Sequence, residues 1–271
     1  MRFSKMILVP LLILSIASAV LAQAKDISMV GSTTVLPIAQ ACAEEFMDLN
    51  PNVNVSVKGG GSGVGIAALI DGTCDIANAS RPMKVGEIRK AKEKGVNLVA
   101  HVIAKDGIAV VVHPSNPING LTLEQLKAIY TGKINNWKEV GGRDMKIVVV
   151  SRDSASGTYE TFHELVLKGE KLRGDALLLA SNQAVATTVV QTEGAIGYIG
   201  LGYLSQKVKA LKIDGIAPSK ETVVDGSYKL ARPLFMYTNG EPKGLVKEFI
   251  DFVLSPEGQK IVEEQGFIPV R

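Results

Sequence analysis

Short β-branched runs alternate with helix-period segments along most of the chain, and no other feature restricts its fold as strongly. Runs at residues 26–30, 53–57, 75–78, 108–113, 146–150 and 195–199 read as strands; helical patterns at 35–49, 64–70, 85–94, 123–130, 158–167 and 245–254 follow many of them. This alternation predicts an α/β chain with largely parallel sheets. No internal repeat, long linker or low-complexity tract interrupts it.

The functional signal lies between strand and helix in three of these units. Gly31-Ser32-Thr33-Thr34 follows the first run, Gly59-Gly60-Gly61-Ser62-Gly63 the second, and Ser151-Arg152-Asp153-Ser154-Ala155-Ser156-Gly157-Thr158 the fifth. Each loop sets Ser or Thr at a helix N-terminus, where such residues ordinarily serve as caps. Three together point further, because ligands of open α/β sheets sit beyond the carboxyl ends of the strands. Unpaired N–H groups and positive helix ends favour a small anion there, hydroxyls add neutral donors, and Arg152 adds a cationic fork suited to a tetrahedral oxyanion. Such a site recognises an anion without transforming it. The glycines at 59–63 would let the backbone and Ser62 approach that anion closely.

Other chemistries find less support. The last glycine of the rich stretch, Gly65, is followed by Ile66-Ala67-Ala68 rather than by the Lys-Ser/Thr pair of a nucleotide-binding loop. The G-x-S-x-G pattern of a nucleophilic serine fails at Ser62, where Val64 stands two positions later, and at Ser156, where Ser154 stands two positions earlier. Glu44-Glu45 and Glu263-Glu264 lie in helical segments, where adjacent residues point apart. His101, His113 and His163 are scattered rather than spaced for a common metal, so no metal or cofactor is expected. Trp137 reads as a packing anchor. An exported hydrolase is the weakest alternative.

Residues 1–24 have the build of a secretory signal peptide: Arg2 and Lys5, an apolar run over 6–14, then small residues with cleavage after Ala22 or Ala24. The apolar stretch is short for a spanning helix and has no counterpart later, so a soluble periplasmic or extracellular protein is expected. Removing Arg2 and Lys5 takes the 30 basic residues to 28 against 27 acidic ones, and the formal charge from +3 to +1. That balance gives no electrostatic reason to expect nucleic acid as a partner. About 250 residues remain, enough for one large domain or two lobes of ordinary size. Cys42 and Cys74 are the only thiols; outside the cytoplasm they could form one disulfide or stay two buried thiols, and the sequence leaves both open.

Seven segments carry a family resemblance. GSTTVLPI from Gly31, GGGSGVGI from Gly59, DIANASRPMK from Asp75, KDGIAVVVH from Lys105, LKAIYTGKINNWKEVGG from Leu126, SRDSASGTYETF from Ser151 and GAIGYIGLGY from Gly194 together resemble the phosphate-binding proteins of phosphate ABC transporters. The match covers essentially the whole mature chain. The resemblance implies a two-lobed periplasmic-binding-protein fold of type II, with the ligand cleft between lobes. It divides the chain into lobe one at 25–112 plus 233–271 and lobe two at 113–232. It also implies a monomeric receptor that delivers inorganic phosphate to a membrane permease. The alternatives are a receptor for sulfate, molybdate or tungstate, or a phosphate-sensing surface protein.

Carried over residue by residue, the ligand groups implied are Ser32, Thr33, Ser62, Ser80, Arg152, Ser156, Gly157 and Thr158. Two positions depart from the family pattern. Relatives place an acid directly after the serine matching Ser80, and here that place holds Arg81; the resemblance to relatives with the same Ser-Arg pair hands the acid's role to Asp106. Relatives also often carry an acid two residues after the arginine, where this chain has Ser154 with Asp153 beside it. The partner that steadies Arg152 therefore stays open at the sequence level.

Overall fold

The computed structural model describes residues 25–271, and the secretory segment read at 1–24 lies outside them. The strands are β1 (Lys25–Gly31), β2 (Val53–Lys58), β3 (Ile76–Ala79), β4 (Leu98–Val112), β5 (Gly120–Leu121), β6 (Val148–Arg152), β7 (Leu177–Leu179), β8 (Ala195–Gly200), β9 (Lys209–Ala210), β10 (Lys212–Ile213) and β11 (Ala231–Asn239). The helices are α1 (Leu36–Leu49), α2 (Ser62–Ile70), α3 (Val85–Glu93), α4 (Leu123–Thr131), α5 (Gly157–Phe162), α6 (Asn182–Gln191), α7 (Lys220–Val224), α8 (Gly244–Val253) and α9 (Pro256–Glu264). A π-helical turn, His163–Leu167, continues α5.

One sheet runs through the molecule in the order β2-β1-β3-β11-β4-β8-β6-β7, with β9 also paired to β4. Within each half the strands are parallel: β1 with β2 and β3, and β6 with β7 and β8. Every pairing that involves β4 or β11 is antiparallel. The expectation of largely parallel sheets thus holds for β1 to β3 and for β6 to β8 and fails wherever β4 or β11 pairs, because these two strands run through both halves in opposite directions.

The 15-residue β4 serves two cores. Ile103 and Ala104 pack with Ile27, Met29, Ile76 and Leu234, whereas Ile108 to Val112 pack with α4, α6 and β8 through residues such as Tyr130, Val185 and Tyr198. Between these stretches stand Asp106 and Gly107, opposite Arg232 and Ala231 of β11.

In the first half, alternate strand residues feed opposite faces of the sheet. Ile76, Leu234 and Met236 meet α1, α8 and α9, while Ala77, Ala79, Phe235 and Tyr237 meet α2 and α3. This division separates the two thiols. Cys42 of α1 belongs to the first cluster and Cys74, just after α2, to the second, so the sheet lies between them and both are free. The disulfide considered from sequence is therefore not formed. Burial pushes the Cys42 thiol up to about 12 and the Cys74 thiol up to about 11, which keeps both protonated and inert.

Local signals explain the second half. Thr122 and Gln125 exchange side-chain and backbone hydrogen bonds at the start of α4, and Gly132 closes it in the left-handed region at φ +84°. Trp137 is 2% exposed and donates Nε1–H to Gly194 O at 3.0 Å, as expected for a packing anchor. Among the described residues no helix is long and apolar enough to cross a membrane.

Candidate functional site

The carboxyl ends of β1, β2, β3 and β6 face one another across the junction, and their loops gather a buried cluster of polar side chains, the candidate pocket. Ser32, Thr33, Thr34, Ser62, Ser80, Asp106, Arg152, Ser156, Thr158, Asn182 and Arg232 are all buried. The nine residues singled out from the sequence lie on the loops and strands that meet here, Gly157 against the Ser62 and Ser80 hydroxyls. Ser80 N–H donates to Ser62 Oγ at 3.0 Å, and the two hydroxyls stand 3.3 Å apart. Arg152 Nη2 reaches Thr33 Oγ1 at 3.1 Å, and Thr158 Oγ1 lies 3.0 Å from Thr34 Oγ1.

Two glycines set how closely the halves meet. A Cβ on Gly157 would stand 2.3 Å from Ser62 Oγ and 2.7 Å from Ser80 Oγ, so only glycine fits between those hydroxyls and α5. Gly61, at φ +100°, would place a Cβ 2.6 Å from Ala155 O, and the neighbouring Gly63 N–H donates to that same carbonyl at 2.9 Å. The glycine-rich loop thus receives the opposite half's backbone. Its freedom serves that contact between the halves.

The capping expected of these hydroxyls is present at two of them. Ser32 Oγ accepts from Thr34 N–H at 3.1 Å and Val35 N–H at 3.4 Å ahead of α1. Ser156 Oγ accepts from Tyr159 N–H at 3.2 Å and caps α5. A hydroxyl that accepts as a cap still has its hydrogen to give.

Arg152 is 1% exposed, and the structure answers what steadies it. Nε donates to Leu179 O at 2.9 Å and Nη2 to Ala180 O at 2.8 Å, both neutral carbonyls at the end of β7. Asp153 turns instead to its own loop, accepting from Ala155 N–H at 2.9 Å. Nη1 is buried without a protein partner. Burial pulls the Arg152 pKa down, yet a guanidinium stays charged at neutral pH.

A second buried guanidinium, Arg232 of β11, was not among the ligand groups expected from the sequence. Its Nε and Nη2 meet Asp106 Oδ2 at 3.0 and 2.8 Å, Nη2 also reaches Thr34 Oγ1 at 3.2 Å, and Nη1 reaches Ser80 O at 3.3 Å. Asp106 Oδ1 accepts from Leu201 N–H at 2.9 Å. Burial pushes the Asp106 carboxyl up, and Arg232 with the Leu201 and Gly107 amides opposes that shift. Arg81, standing where relatives carry an acid, turns to Glu87, donating from Nη1 and Nη2 to its two oxygens at 2.8 and 2.7 Å.

Sequence reasoning also missed Asn182 and Tyr203. Asn182 opens α6 and donates Nδ2–H to Thr33 Oγ1 and Thr34 Oγ1 at 3.2 and 3.0 Å. Tyr203 OH donates to Thr33 O, and burial pushes its pKa up to about 12. No helical pattern was read at 182–191, so Asn182 had no assigned place, and Tyr203 closed a motif already assigned to the resemblance.

A family model described as the PBP superfamily domain matches residues 17–257. The chain is 38% identical over 250 residues to the phosphate-binding protein PstS of Bacillus subtilis, covering 90% of this chain and 81% of the relative. It is 37% identical to the phosphate-binding protein PstS of Borreliella burgdorferi, covering 91% of each. Among solved structures, a Clostridium perfringens protein described as a phosphate ABC transporter substrate-binding protein with bound phosphate superposes at a TM-score of 0.85. That pair shares 41% identity over 91% of this chain and 100% of the other.

Proposed function

From a chain that belongs to the PBP superfamily, and within it to the family of transporter phosphate-binding proteins, we propose an exported receptor that captures inorganic phosphate between two lobes and delivers it to an ABC permease. One observation carries this reading: Arg152 is buried among hydroxyls with only neutral partners and an unpaired Nη1, so its charge calls for an anion. Ser32, Thr33, Ser62, Ser80, Ser156, Gly157 and Thr158 supply the surrounding neutral donors. The lobes join at Asp106-Gly107 in β4 and Ala231-Arg232 in β11, where the apolar cores divide. The relatives described as phosphate-binding proteins support a receptor.

Asp106 makes the pocket choose phosphate over sulfate. At neutral pH phosphate keeps a proton and can donate to a carboxylate, whereas sulfate is an acceptor only and is repelled by it. Calorimetric titration tests both statements. One phosphate per chain should bind, with sulfate far weaker; equal binding of the two anions, or no phosphate binding, overturns the reading.

A further inference from the structure

We propose that Asn182 is a positioning residue of the pocket, one that forces the hydroxyls of Thr33 and Thr158 to act as donors toward the bound anion. This inference rests on the phosphate reading above. The orientation of its amide is fixed by a group with no choice of role. Gly200 N–H can only donate, and it lies 3.2 Å from Asn182 Oδ1, so the oxygen faces β8 and the NH2 faces the threonines.

The two hydrogens of Nδ2 then go to Thr33 Oγ1 and Thr34 Oγ1. Each of those oxygens already takes a hydrogen from a guanidinium: Thr33 from Arg152 Nη2 and Thr34 from Arg232 Nη2. A hydroxyl oxygen has two acceptor positions, so both are filled. Thr33 has only its hydrogen left to offer. Thr34 must give its hydrogen to Thr158 Oγ1, 3.0 Å away, which frees the Thr158 hydrogen in turn. Two arginines and one amide therefore set the direction of a hydroxyl chain that spans both lobes. The result is a surface matched to an anion with few protons of its own.

Replacing Asn182 by Ala reopens one acceptor position on each threonine. Phosphate should bind about five- to tenfold more weakly, the loss expected for a neutral hydrogen-bond network losing its anchor. The loss should be smaller on the acid side of neutrality, where phosphate carries more protons and the released hydroxyls can accept one. A purely structural role predicts equal loss at every pH. Thr34→Val, which cuts the chain while leaving Asn182 in place, should also weaken phosphate and serves if Asn182→Ala does not fold. Wild-type affinity in either folded variant, or a loss in Asn182→Ala that does not vary with pH, overturns the inference and leaves the phosphate reading intact. If the unaltered protein fails to bind phosphate, that reading falls first and this one with it.

Discussion

Arg152 and Arg232 are both buried, reach the neighbouring hydroxyls of Thr33 and Thr34, and are held by opposite means. Arg232, on the crossover, is paired to Asp106 through two of its nitrogens. Arg152, at the end of β6, is held by carbonyls and a hydroxyl, all of them neutral. The first charge is balanced within the fold, and the second is positioned by the fold but not balanced by it. A buried ion pair belongs to folding, since removing one partner strands the other. Arg152 has only neutral hydrogen-bond partners, with Asp153 acting on it at longer range, so under the proposed function its direct counterion is the incoming anion.

The same substitution at both positions puts that contrast to the sharpest test. Arg232→Met leaves the buried Asp106 carboxyl without its cation and should lower unfolding free energy by about 3–5 kcal/mol in urea titrations. The loss should depend on pH. Without its cation, Asp106 has a folded-state pKa raised further above the unfolded value near 4, so the variant is most stable below that value and weakens as pH rises through the folded pKa. A penalty that shrinks toward alkaline pH would contradict this account. Arg152→Met should instead cost less than half as much stability. Phosphate affinity should fall by about ten- to 150-fold, the range for a lost charged hydrogen bond of about 1.5–3 kcal/mol. Equal effects of the two variants on stability would erase the distinction.

Asp106→Asn probes the boundary between the two roles. Arg232 keeps a polar neighbour but loses its counterion, so the pocket gains net positive charge and an amide donor. Phosphate should weaken moderately while sulfate gains, shifting their affinity ratio by about tenfold. Side-by-side calorimetry of the two anions checks it. An unchanged ratio would confine Asp106 to balancing Arg232.

Much of this arrangement could be read from the sequence, and the gaps have physical causes. Strands that end in Ser, Thr or Gly loops carry their own signal, because capping chemistry and periodicity are local; hence β1, β2, β6 and the hydroxyls at their ends were legible. Arg232 was not, since nothing near residue 232 distinguishes an arginine aimed at Asp106 from one in solvent. Their meeting depends on antiparallel register between strands more than a hundred residues apart. The first half of β4 was missed for a related reason: at 98–107 its burial is mixed, with Lys105 exposed and Ile103 buried, and no clean period emerges. The resemblance supplied Asp106, but its partner came only from the fold. The neutral carbonyls that hold Arg152 leave no mark on the sequence, since any residue provides one.

The smallest effect is expected at the cleft's rim, where Lys84 Nζ and Glu160 Oε1 form an ion pair 2.7 Å long between α3's start and α5. It joins the two halves as Arg232 and Asp106 do, but with the lysine side chain 48% exposed and the glutamate 25%. Water competes for both charges, so the pair should contribute well under about 1 kcal/mol to closure. Lys84→Met removes the charge while keeping the backbone N–H that donates to Glu87 Oε2 at 2.8 Å, so α3 keeps its N-terminal bond. Opening should become slightly easier, and phosphate release measured by stopped flow should quicken by less than about fivefold. At high salt the difference between variant and wild type should vanish, because exposed charges are screened. A tenfold faster release, or a difference that survives high salt, would mean that the rim holds the lobes as firmly as the interior does, and the division between buried and exposed pairs would have to be redrawn.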